Sequence, residues 1–203
     1  MINETIIPKF NENKVLPPHR GNPKNESDMS PFPATTLQLC ERFGHSKVRR
    51  PFLQGFLEFR GVLDELQMHE GFQWLDGFFM EDFEHQIIKT PKFIQVVTFY
   101  KQPPKPFPHP DLTDTFAILQ DPDLLERKYN VTHNVVRLDM SAENTPQKLV
   151  SRTRFWWGQM SHTEEEEVWK GLVQVPLNTP DDDAAAMQYL KALEKKALEK
   201  EKK

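Results

Sequence analysis

The chain has 203 residues, 37% hydrophobic and 28% charged, with fifteen Phe and four Trp, which suits one globular core and excludes a disordered chain. A single cysteine, Cys40, excludes a disulfide framework and a cysteine-based zinc site. A net charge of −4 argues against a non-specific nucleic-acid binder, though not against a local basic contact.

No apolar run reaches the ~18 residues of a membrane span, and no membrane partner is expected. The polar start MINETIIPKFNENK lacks the apolar segment of a signal peptide, so a cytoplasmic protein is expected. Residues 1–33 hold six of the seventeen prolines and few apolar side chains, and read as an extended arm. Thr36 is the expected N-cap of a helix through Phe43 that Gly44 ends. Phe52, Phe56, Phe59, Leu63 and Leu66 recur at steps of four and three, with Leu53 and Leu57 widening the stripe. This predicts a half-buried helix over 48–68, with Pro51 in its first turn.

Residues 72–76 (FQWLD) suit a strand entering a turn at Gly77, and 93–100 (FIQVVTFY) have the composition of a central strand. Five prolines between 102 and 110 read as a stiff loop capping the sheet; the functional alternative is a polyproline ligand for an aromatic groove. Short helices are expected over 111–120 and 123–129, and a strand over 134–140, extended back to 131 in a longer version. Thr145 and Pro146 open a helix whose face carries Leu149, Thr153, Trp156 and Met160. A strand follows over 168–177. Thr179 and Pro180, with Asp181, Asp182 and Asp183 at the positive end of the dipole, start a last helix. Its stripe is Met187, Leu190, Leu193 and Ala197, and its tail KKALEKEKK reads as a solvated helix end. The division is an arm over 1–33, a domain over 34–178 and a charged helix over 179–203. Strands interleaved with helices indicate an α/β or α+β fold with a small mixed sheet flanked by helices.

The segment WLDGFFMEDFEHQIIKTPKFIQVVTFY joins a strand, an Asp-Gly turn and a second strand. With LQLCERFGHSKVRRPFLQGF before it and RFWWGQMSHTEEEEVWKGLVQVPL after it, it resembles a family of small prokaryotic proteins related to minimal nucleotidyltransferases of the DNA-polymerase-β type. The resemblance covers nearly the whole chain. It implies a Gly-Ser pair at the turn to approach a triphosphate and two aspartates spaced i, i+2 on the next strand. A third carboxylate on a neighbouring strand would complete a two-magnesium site. This chain departs from that pattern. Gly77 is present, Phe78 stands at the serine, Phe93 and Gln95 stand at the two aspartates, and Thr132 falls at the third carboxylate, with Asp139 further along the same strand as the other candidate.

Phenylalanine cannot ligate a metal, and glutamine offers a neutral oxygen where magnesium favours an anionic one. Two unit charges 4 Å apart interact by about 4 kcal/mol at an effective dielectric near 20, and a divalent ion doubles that. The resemblance therefore implies a nucleotidyltransferase-like protein without the ordinary metal site, needing no cofactor. It would act as an interaction or regulatory module for a protein partner, in a setting such as a toxin–antitoxin or phage-defence locus.

The alternative is an active enzyme using Mg2+ and a nucleoside triphosphate through displaced carboxylates drawn from Asp76, Glu81, Asp82 and Glu84. It would transfer a nucleotide to protein or RNA. Against it, Asp76 is expected to close the turn while Glu81 and Asp82 favour a helix N-terminus. An active parent carrying introduced substitutions would read the same way. The acidic run at 163–167 reads as a solvated hairpin, the seven histidines lack metal-ligand spacing, and Cys40 reads as a buried, inert thiol.

Overall fold

The computed structural model describes residues 6–85, 90–163 and 168–201. Its strands are β1 (Phe32–Pro33), β2 (Gly71–Asp76), β3 (Ile94–Tyr100), β4 (Val131–Arg137) and β5 (Val173–Pro176). The helices are α1 (Thr36–Phe43), α2 (Arg50–Glu65), α3 (Thr113–Ile118), α4 (Pro122–Tyr129), α5 (Pro146–Met160) and α6 (Pro180–Glu201). The strands form one mixed sheet in the order β1-β5-β2-β3-β4. β2 is antiparallel to both β3 and β5, whereas β3–β4 and β1–β5 are parallel. The fold is the α+β arrangement expected from the sequence.

Strand alternation divides the buried side chains between the two faces of the sheet. Leu75, Ile94, Val96, Val131, Val173 and Val175 join the larger core with the stripe of α2 and with Leu39, Phe43, Leu125, Ala186 and Leu190. Trp74, Val97, Phe99, Val136 and Leu172 point the other way and are covered by Leu149, Trp156, Trp157 and Met160 of α5. Gly55 lets α2 cross the end of α4, because a Cβ there would lie 2.2 Å from the Tyr129 carbonyl oxygen.

Helix ends hold the layers together. The cap of α1 is Thr35, one residue earlier than expected, and its capping box with Gln38 is closed in both directions. Thr36 is thereby free for α6: its hydroxyl lies 2.7 Å from Asp182 and 2.7 Å from Asp183, and Asp182 also accepts the Leu37 N–H at 3.1 Å. Acids at the start of one helix thus serve the start of another.

The arm is draped over the domain and also built into it. Ile7 and Leu16 belong to the larger core, Val15 is 1% exposed, and Phe32–Pro33 forms the edge strand. The Leu16 carbonyl accepts the Gly171 N–H at 2.8 Å and the Lys14 carbonyl accepts the Asp82 N–H at 2.8 Å. These bonds, with Lys170 N–H donating to Ser161 O at 2.7 Å, explain why β5 starts at Val173 rather than 168. The strand starts at Val131, as in its longer expected version, but ends at Arg137 rather than 140, because the Asn144 amide draws the Arg137 and Asp139 carbonyls away from the sheet. The proline-rich loop packs back on the domain through Phe107, whose ring meets Phe116 at 5.7 Å. No helix among the described residues is long and apolar enough to cross a membrane.

Candidate functional site

β2 ends at Asp76, and Gly77 then adopts φ +88° and ψ −176°, a conformation open in practice only to glycine. This turns the chain into short 3-10 turns at Phe78–Met80 and Phe83–His85, rather than the polar helix start expected after the turn. Arg49, almost wholly buried, donates to the Phe79 and Glu81 carbonyls and so fixes the loop.

The register gathers the expected motif positions at one end of the sheet. Gln95 pairs with Asp76 on one side and with Thr132 on the other. All three therefore share the face covered by α5, and Phe93 stands one residue before β3 begins. Gly77 lies against Gln95, its missing Cβ falling 3.4 Å from the Gln95 Cβ. Phe78 is half-buried with its ring 5.9 Å from Phe83. None of Phe78, Phe93, Gln95 and Thr132 carries a charge.

The four carboxylates around the turn go to three basic partners. Asp76 and Glu81 converge on Lys170, whose Nζ lies 3.2 Å from Asp76 Oδ1 and 2.9 Å from Glu81 Oε1. This group is sealed from solvent: Asp76 is 1%, Lys170 3% and Glu81 8% exposed. Asp76 Oδ1 receives no aligned hydrogen bond despite the nearby ammonium. Asp82 binds His85 Nδ1 at 2.7 Å, and Glu84 binds Arg49 with Nε to Oε1 at 2.7 Å. Glu81 therefore turns inward rather than favouring a helix N-terminus, while the Asp82 carbonyl accepts the His85 N–H in the second 3-10 turn. Asp139 lies beyond β4, held by Arg137 and the Gln102 N–H, and does not join the site.

The electrostatics follow from burial. Burial pushes the Asp76 carboxyl up to about 7, against the opposing pull of the Lys170 ammonium and the Gly77 N–H. Burial also works to lower the pKa of Lys170, but Asp76 and Glu81 outweigh it and hold the ammonium charged. At Glu84 burial is outweighed by hydrogen bonds from Arg49 and Ser46, which keep the carboxyl below its usual range. Cys40 is fully buried, and burial together with Asp183 and Asp182 pushes its thiol up to about 12. That matches the inert thiol expected.

A second polar group crosses the opposite face. Arg60 donates to Asp183, Gln73, the Pro176 carbonyl and Thr179, Gln73 donates to Thr98 at 3.1 Å, and His133 Nε2 lies 2.9 Å from the same hydroxyl. Burial lowers the pKa of His133, whose ring also meets Phe59 at 4.8 Å.

Sequence reasoning missed Lys170, Arg49, Arg60 and His133. The available signal was a charge inside an apolar pattern: Arg60 interrupts the stripe between Phe56 and Leu63, and Lys170 stands among Trp169, Leu172 and Val173.

Among the described residues, no three His, Cys, Asp or Glu side chains cluster to hold a metal ion. Residues 164–167 of the acidic run lie outside the described residues, and on either side His162 bridges to Trp169 and the Thr163 N–H donates to the Val168 carbonyl. No curated protein and no solved structure matches the chain. A family model described as "Family of unknown function (DUF6932)" matches residues 8–176, from the arm through all five strands and the Lys170 cluster, and the chain belongs to that family.

Proposed function

We propose that this protein is a nucleotidyltransferase-like scaffold that has lost catalysis and acts as an interaction or regulatory module for a protein partner. The observation that carries the reading is the side-by-side placement of Asp76, Gln95 and Thr132 on three neighbouring strands beside the positive-φ Gly77. A helix, a strand, a glycine turn, an antiparallel strand and then a parallel strand is an order suited to presenting three acids to one pair of metal ions. Here those positions carry Phe93, Gln95 and Thr132, which have no anionic oxygen to offer magnesium. Partner binding is supported by apolar side chains left open on and near α5, with Val150 66% and Phe155 55% exposed. A toxin–antitoxin or phage-defence setting rests on fold-level analogy alone.

The second reading is an active transferase with displaced carboxylates, and the convergence of Asp76 and Glu81 is what favours it. The ammonium already between them weighs against it. A thermal-shift experiment with each nucleoside triphosphate, with and without magnesium, separates the two. A ligand at one hundred times its dissociation constant adds about 2.7 kcal/mol, a rise of roughly 5–11 °C for a domain of this size. The scaffold reading expects no magnesium-dependent rise with any of the four nucleotides. Such a rise, lost in Asp76→Asn, would overturn it in favour of the transferase.

A further inference from the structure

We propose that the Lys170 ammonium is a resident cation filling a seat formed by Asp76 and Glu81, and that a divalent cation of the Mg2+ or Mn2+ class takes this seat once the ammonium is removed. The inference rests on the geometry of these three residues and not on the scaffold reading. Two carboxylates face one ammonium, which leaves an excess of negative charge in a sealed volume. Asp76 Oδ1 is buried and lacks an aligned hydrogen bond although the ammonium stands 3.2 Å away, so its acceptor capacity is not used up. Lys170 reaches the seat from the residue before Gly171, whose N–H is tied to Leu16. Glu81 is fixed in turn, its carbonyl accepting from Arg49 at 2.6 Å and its backbone bridging to Val15. The oxygens are therefore held by the backbone rather than by the lysine alone.

Oxygens 2.9 and 3.2 Å from the ammonium nitrogen suit an N–H donor. A bound magnesium would need them about 1 Å closer, or water between, and magnesium habitually keeps several waters. Replacing the lysine by alanine removes the long stem as well as the charge, leaving room for those waters and a route by which the ion enters. Mn2+ accepts the same oxygen donors and is directly countable.

The experiment uses the full chain as wild type, Lys170→Ala and the double variant Lys170→Ala/Asp76→Asn, titrated with Mn2+ and followed by electron paramagnetic resonance and thermal melting. The expected result is one Mn2+ bound per Lys170→Ala chain, a melting temperature raised by the metal, and loss of both effects in the double variant. The wild type should show neither. A folded Lys170→Ala that binds no Mn2+, equal binding by the wild type, or binding that survives in the double variant would overturn the proposal. Where Lys170→Ala is unfolded without metal, millimolar Mn2+ should restore the fold, and failure to do so also overturns it. These outcomes are independent of nucleotide binding by the wild type, which alone decides the scaffold reading.

Discussion

Gln95 is the cross-strand partner of Asp76, so a neutral amide flanks the one acid that closes β2. Asp76 thus has its charge answered by the Gly77 N–H and by Lys170, which it shares with Glu81, in a buried space. Burial there makes the Asp76 carboxyl harder to ionise than an ordinary aspartate.

This makes stability depend on pH in a definite direction. The Asp76 carboxyl lies at about 7 in the folded protein against an ordinary 3.8. Between those values the folded state holds a proton that the unfolded chain has released, so the contribution of Asp76 is fully present below pH 4 and is lost as pH rises through 7. Its slope is at most about 1.4 kcal/mol per pH unit. Urea denaturation of the wild type and of Asp76→Asn at intervals from pH 4 to 8 isolates it: wild-type stability should fall relative to the variant as pH rises toward 7. A difference between the two that does not change with pH would mean another group carries the effect.

His133 acts with the opposite sign. Its pKa is lowered by burial, so the folded state resists a proton that the unfolded chain accepts near 6.5. Its contribution is present above pH 6.5 and is lost as pH falls through the folded value. Within the window from about pH 4 to 6.5 the two residues oppose one another. His133→Gln keeps a donor toward Thr98 and removes the titration. Its stability should therefore decline less on acidification than that of the wild type, and an unchanged acid limb would place the titration elsewhere.

The legible parts of the fold were those where burial alone decides the pattern. The stripe from Phe52 to Leu63 has the helical period, and residues 94–100 are buried on both faces and so read as a continuous apolar strand. Element ends were less legible because remote groups set them: Asn144 ends β4 and Leu16 delays β5. Gly77, Gln95 and Thr132 were named from a family resemblance, and the register sets Gln95 between Asp76 and Thr132. The ion cluster could not be named in advance, since Lys170 meets Asp76 only through the path of the arm and the bonds that Ser161 and Leu16 make to residues 170 and 171. Arg60 was hidden for a related reason: its partners Gln73, Thr179 and Asp183 lie on three other segments.

Gly77 offers a backbone prediction. Its φ of +88° with ψ near 180° belongs to a region that side-chain-bearing residues avoid. Space is not the obstacle, since an added Cβ would stand 3.4 Å from Gln95. Gly77→Ala should therefore lose about 1–3 kcal/mol through conformation rather than collision. The same loss should appear when Gln95→Gly, which removes the Cβ that an alanine at 77 would meet, is the background. If the loss disappears in that background, steric contact with Gln95 is its origin.

Arg60 provides the last test, and it concerns what ties α6 to the rest. Arg60 is 4% exposed and its guanidinium satisfies acceptors on β2, at the end of β5 and at the start of α6, while Asp183 also lies 2.7 Å from the Thr36 hydroxyl of α1. Removing the cation leaves the Asp183 carboxylate with only the neutral Thr36 and Thr179 hydroxyls and takes the donor from the Gln73 amide oxygen. Breaking a buried pair in this way costs about 3–5 kcal/mol. Arg60→Ala should therefore bring the protein close to unfolding, since domains of this kind hold only about 5–15 kcal/mol. Arg60→Lys keeps the charge but cannot reach four acceptors with one compact ammonium, and should fall between the two. In a double-mutant cycle, Arg60→Ala with Asp183→Asn should lose clearly less than the sum of the single changes, by about 1–3 kcal/mol. Strict additivity would mean that Arg60 acts through Gln73 and the Pro176 carbonyl rather than through α6.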